Sequence, residues 1–115
     1  MPVKLALVVR TDLGMGRGKI AAQAAHAAVA SVLRTHATPA FAAWLREGQP
    51  KVVLKVSGET ELRELCLAAE AADLPVEVIH DAGRTQVEPG TATCCAIGPA
   101  PVEEIDRVAG ELSLL

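Results

Sequence analysis

An α/β fold is predicted for this 115-residue sequence: a three-layer α/β/α sandwich around a four-stranded, mixed, mostly parallel sheet. Two observations predict it. Short runs rich in Val, Leu and Ile alternate with longer Ala- and Leu-rich segments of helical period, in the order β-α-α-β-α-β-β-α. The last two strands are linked by only about a dozen residues without a helical pattern, too few for a parallel crossover, so one strand is expected to run antiparallel.

Val3 to Val9 is an apolar run of the kind buried on both faces of a sheet. Thr11-Asp12-Leu13-Gly14-Met15-Gly16-Arg17-Gly18 follows as a glycine-punctuated loop and feeds Lys19 to Leu33, whose Ala content favours helix. Thr38-Pro39 reads as an N-cap followed by Pro at the first helical position. It opens a short helix carrying Phe41, Trp44 and Leu45, closed by Gly48. Lys51 to Val56 is the second strand. Ser57-Gly58-Glu59-Thr60 leads into a helix with Leu62, Leu65, Cys66, Ala69 and Ala72 on one face, stopped by Pro75. Val76 to Ile79 is the third strand and Ala92 to Ile97 the fourth, with a polar loop from His80 to Gly90 between them. Gly98-Pro99-Ala100-Pro101 is expected to break the chain before a last helix with Val102, Ile105, Val108, Ala109 and Leu112. Residues 1–115 are expected to form one domain.

Half of the residues are apolar, which excludes intrinsic disorder, and much of that half is Ala, so the core must be built from closely packed small side chains. The net charge of −3 would ordinarily argue against a nucleic-acid partner. The charges are unevenly spread, however. Eight basic and two acidic residues precede Val56, whereas three basic and twelve acidic residues lie from Val56 onward. An acidic molecule with one basic side is therefore expected, its cations being Arg10, Arg17, Lys19, Lys51 or Lys55, and Arg84. The five apolar residues between Lys4 and Arg10 are too few for a signal-peptide core, and no apolar run is long enough to span a membrane. A cytoplasmic protein with no membrane partner is expected. Its three Cys are odd in number, and Cys94-Cys95, as strand neighbours, point to opposite faces, so reduced, buried, structural thiols are expected.

The Gly14-Met15-Gly16-Arg17-Gly18-Lys19 loop is not a P-loop, because Leu13 and Ile20 stand where that motif needs Gly and Ser or Thr. What it offers is close backbone approach at Gly18 and a helix N-terminus flanked by Arg17 and Lys19, which suits a phosphate or a developing oxyanion. Lys19, Gln23 and His26 follow at i, i+4 and i+7 as a polar stripe on an apolar helix. The second polar cluster, His80-Asp81-Ala82-Gly83-Arg84-Thr85-Gln86 with Gly90-Thr91-Ala92-Thr93, starts at a strand end, where open α/β sheets bind ligands. Its carboxylate, guanidinium and hydroxyls suit a water and a polar substrate, making Arg84 and Thr91 candidate binding residues. No Ser sits on a nucleophile elbow and no spacing makes a metal site, so no metal or other cofactor is expected.

Three segments in order resemble the peptidyl-tRNA hydrolase family of the archaeal and eukaryotic type: 16–27 (GRGKIAAQAAHA), Trp44 with 48–56 (GQPKVVLKV), and 81–93 (DAGRTQVEPGTAT) closed by 96–99 (AIGP). They span nearly the whole chain and are jointly specific. The departure is Cys94-Cys95, where the family usually carries larger aliphatics. The resemblance implies hydrolysis of the ester joining a peptide to the 3′ end of tRNA, with the tRNA acceptor end as partner and a homodimer as the assembly. The matching family positions are Lys19, Asp81, Thr85 and Thr93, with Gln23 and His26 in the adjoining stripe. Asp81 would orient or deprotonate water, directly or through Thr85 or Thr93, while Lys19 would stabilise the oxyanion or a terminal phosphate. The contending reading is a non-hydrolytic tRNA-binding adaptor on the same scaffold. A thiol-redox function of Cys94-Cys95 stands further off.

Overall fold

The computed structural model describes residues 2–82 and 88–115. Its elements follow the predicted order: β1 (Val3–Arg10), α1 (Arg17–Thr35), α2 (Pro39–Arg46), β2 (Lys51–Val56), α3 (Glu59–Ala71), β3 (Val76–His80), β4 (Ala92–Pro101) and α4 (Val102–Ala109). The sheet order is β2-β1-β4-β3. β1 and β2 are parallel, while β4 lies antiparallel to both its neighbours. Three strands therefore run one way and β4 the other.

Period-two alternation sorts the apolar residues into two layers. Leu5, Leu7 and Val9 of β1 join Cys94, Ala96, Ala27 and Trp44 on the face covered by α1 and α2. Ala6 and Val8 join Cys95, Ile97, Leu62, Leu65, Ile105 and Ala109 on the face covered by α3 and α4. Cys94 and Cys95 are thus buried on opposite faces, and all three Cys are free thiols. Burial pushes the Cys94 thiol up to about 11. Cys95 is raised by its hydrogen bond with Cys66 and by burial, and the same hydrogen bond lowers Cys66.

Thr38 caps α2 as the sequence predicts. Its Oγ1 accepts from the Phe41 N–H at 3.2 Å and donates to the Thr35 carbonyl at 2.8 Å, fastening α2 to the end of α1. Thr38→Ala should lower the unfolding free energy by about 1–2 kcal/mol, which a shift in the urea midpoint at unchanged m-value would show.

One expectation fails. The Gly98-Pro99-Ala100-Pro101 segment does not break the chain but extends β4 to Pro101, where Val3 pairs with Pro101 and Lys4 with Ala100. A register shift between Lys4 and Ala6 absorbs the irregularity. Gly98, at φ +108, is required there, because a Cβ would lie 2.9 Å from both Ile105 Cδ1 and the Lys4 carbonyl. The Gly98 carbonyl accepts from Ser31 Oγ at 2.7 Å, so α1 holds the bulge in place.

Candidate active site

The site forms where the N-terminus of α1 meets the C-terminal end of β3. The N-cap of α1 is Gly16, which offers no side-chain cap, and no acidic residue lies in the first turn. The partial positive charge of that helix end favours an anion. Arg17 and Gly18 are exposed there, with open space around Gly18.

Lys19 turns inward from the first turn and ion-pairs with Asp81. The pair is withdrawn from solvent, the Asp81 side chain being 1% exposed and that of Lys19 11%. Asp81 directly follows β3, and its backbone is pinned to the returning chain. Its N–H donates to the Thr91 carbonyl at 2.8 Å, and its carbonyl accepts from the Gly90 N–H at 2.9 Å. One turn along α1, Gln23 Nε2 donates to Thr93 Oγ1 at 2.7 Å, and that hydroxyl donates in turn to the Ile79 carbonyl at 3.3 Å. Cys94 Sγ reaches the Gln23 carbonyl at 3.4 Å. Helix and strands are thus locked together immediately beneath the ion pair.

The structure brings together Lys19, Asp81, Gln23 and Thr93 of the predicted set, with Thr91 touching Asp81 through its backbone. It does not gather His26, which is exposed and has no hydrogen-bond partner among the described residues. The inward stripe of α1 is Gln23, Ala27, Ser31 and Thr35, at strict i, i+4 spacing, and it turns His26 outward. Arg84 and Thr85 lie outside the described residues.

Arg10 corrects another expectation. It is 7% exposed and does not belong to a basic surface. Its guanidinium holds both carboxylate oxygens of Asp12 and donates to the Ala92 carbonyl at 3.0 Å, tying β1 to the start of β4 beside Thr93. The hydrogen bond to Asp12 raises Arg10 and keeps the Asp12 carboxyl below its usual range. Asp12, two residues beyond an Arg that ends the apolar run Leu5 to Val9, was the signal in the sequence for this pairing. Lys51 is removed as well, because it pairs in register with Leu5 at the far end of β1 and stacks over Trp44 at 5.1 Å.

A desolvated ammonium–carboxylate pair at a helix N-terminus, mounted on a strand end of a three-layer α/β sheet, has the components of a hydrolytic site acting on a polar, anionic substrate. Comparisons with known proteins give the family. The family model described as "Peptidyl-tRNA hydrolase PTH2" matches residues 3–115. The peptidyl-tRNA hydrolase of Sulfurisphaera tokodaii is 51% identical, with all of both chains covered. That of Methanocaldococcus jannaschii is 48% identical over 98% of this chain and 100% of its own. That of Methanopyrus kandleri is 52% identical over 97% of each. A solved structure of an Agrobacterium protein of unknown function covers 100% of this chain and 98% of its own at TM-score 0.68 and 12% identity, which is a likeness of fold alone. The chain belongs to the peptidyl-tRNA hydrolase PTH2 family. It is an enzyme, and its reaction is the hydrolysis of peptidyl-tRNA.

Proposed function

We propose that hydrolysis runs at the Lys19–Asp81 pair. The buried ion pair between those two side chains is the observation that carries this reading. The substrate's ester carbonyl sits over the start of α1, and Asp81 accepts a proton from the attacking water. The oxygen of that water bonds to the carbonyl carbon, and charge collects on the carbonyl oxygen. Lys19 and the first N–H groups of α1 stabilise it. Collapse releases the peptide acid and the 3′ oxygen of tRNA, which takes the proton from Asp81. Gln23 and Thr93 hold Lys19 and Asp81 in register by fixing α1 against β3 and β4. In this reading Arg84, Thr85 and Thr91 supply groups for water and substrate, and His26, turned outward on α1, takes no part in the chemical step.

The tRNA acceptor end lies over Arg17, Gly18 and Lys19, away from the acidic α3. With about two phosphate contacts to a single-stranded end, affinity should fall roughly sevenfold between 50 and 200 mM salt. A tRNA titration by fluorescence anisotropy at several salt concentrations checks this; a flat dependence would remove the tRNA from this face. Releasing peptide from peptidyl-tRNA, with free aminoacyl-tRNA spared, is the assay for the reaction. Binding without release would instead favour the adaptor reading.

The chain is taken to work as a single domain, in the cytoplasm and as a homodimer. Val29 and Leu33, 58% and 69% exposed and one turn apart on α1, support the last of these as an apolar strip for a second copy. No described helix is long and apolar enough to cross a membrane.

A further inference from the structure

Strand β3 is the edge of the sheet next to the catalytic pair, since it borders β4 on one side only. An edge strand exposes main-chain donors and acceptors on alternate residues. In β3 the parity is fixed at both ends. The Pro75 carbonyl accepts from the Gly98 N–H, and the Asp81 N–H donates to the Thr91 carbonyl, so residues 75, 77, 79 and 81 turn inward toward β4. Residues 76, 78 and 80 therefore turn their main-chain groups outward. The outward carbonyl of Val76 is already taken, by Arg34 Nη1 at 2.6 Å. The main-chain groups of Val78 and His80 have no such partner among the described residues. Beside them, on the α3 face, lies a cavity of about 320 Å³ lined by Leu62, Cys66, Leu67, Val78, His80 and Ala92. Leu67 at its rim is 59% exposed.

We propose that this free edge binds the peptide portion of peptidyl-tRNA as an added strand, with alternate side chains of that peptide entering the cavity. The proposal rests on hydrolysis taking place at Lys19–Asp81. Asp81 directly follows His80, so a peptide whose C-terminal ester lies at Asp81 reaches Val78 in three residues, about 10 Å of extended chain. Because the ester end sits at the C-terminal end of β3, the added strand runs parallel to β3. Arg34 occupies the next outward carbonyl and ends the strip there. Charge favours a peptide over RNA as the occupant, since α3 lines the cavity with Glu59 and Glu70, and Arg63, the one cation there among the described residues, is ion-paired with Glu59. Recognition through the main chain also suits a substrate of any peptide sequence. A free aminoacyl-tRNA lacks the peptide units that the edge would pair, so the same contact discriminates against it.

The test uses the full chain and tRNAs carrying N-acetylated alanine peptides of one to five residues. KM is expected to fall about tenfold between one and three residues, the worth of roughly two hydrogen bonds, and then to level off at constant kcat. N-methylation of the peptide amides facing Val78 and His80 should reverse that gain. Val78→Pro removes an outward N–H without touching the β4 ladder, and should flatten the length dependence. If that variant does not fold, the methylated substrates decide the question alone. A wild-type KM indifferent to length and methylation overturns the proposal, even with Lys19→Ala inactive and the hydrolytic site intact. If Lys19→Ala keeps wild-type turnover, the site itself is wrong, and edge docking beside it falls too. A Val78→Pro variant that turns a dimer into a monomer on sedimentation, with KM unchanged, would assign the edge to a second copy and also overturn the proposal.

Discussion

Replacing Lys19 with Ala should lower kcat for peptidyl-tRNA by about 10²–10³-fold, the usual loss on removing one preorganised oxyanion donor. Two features of this lysine support a figure of that size. Its ammonium is held by Asp81 before substrate arrives, so little reorganisation is needed during the reaction. It also stands in the first turn of a helix with no acidic residue in that turn, where its charge adds to that of the helix end. The substitution has a second, separable effect. Asp81 is left nearly fully buried without its lysine, and breaking a buried pair on one side typically costs about 3–5 kcal/mol. Lys19 keeps 11% of its side chain exposed, so the lower end of that range is expected. Single-turnover hydrolysis on protein shown to be folded by circular dichroism separates the two effects. Near-wild-type turnover by the folded variant would remove Lys19 from the reaction.

The features legible in the sequence were those that local chemistry dictates. Thr38-Pro39 predicted a cap because Thr there satisfies a helix-end N–H wherever the helix packs. The apolar run of β1 predicted a central strand because only a strand covered on both faces needs Leu5, Ala6, Leu7 and Val8 in succession. Lys19 and Asp81 stood out in the sequence as candidates, one on an otherwise apolar helix and one at a strand end, and the structure pairs them with each other. The misses turn on tertiary packing, which local signals do not carry. Gly98-Pro99-Ala100-Pro101 carries every local breaking signal, and it continues β4 only because Lys4 and Val3 pair with it across a bulge and Ser31 takes the Gly98 carbonyl. Arg10 counts as a surface cation until Asp12 and the Ala92 carbonyl close around it. His26 shares a helical stripe with Lys19, but the axis of α1 is set by Ala27, Ser31 and Thr35 packing on the sheet. That rotation leaves His26 outside.

Asp81→Asn tests the other half of the pair with almost no change of shape, and kcat should fall about 10²–10⁴-fold if the carboxylate accepts the water's proton. Asn cannot accept that proton at neutral pH but still presents an oxygen to Lys19, so less stability should be lost than in Lys19→Ala. The informative comparison is the double variant Lys19→Met/Asp81→Asn with its own single variants, Lys19→Met and Asp81→Asn. Removing both charges leaves neither one buried without the other, so the double variant should lose less unfolding free energy than the two single losses add up to. Its kcat, by contrast, should lie close to that of the slower single variant, because groups that act as one unit are lost together. Stability and rate would then both depart from additivity, each read from its own double-mutant cycle. Losses in kcat that simply multiply would mean that Lys19 and Asp81 serve separate steps. In that case their ion pair in the free enzyme would be a resting contact that substrate must break.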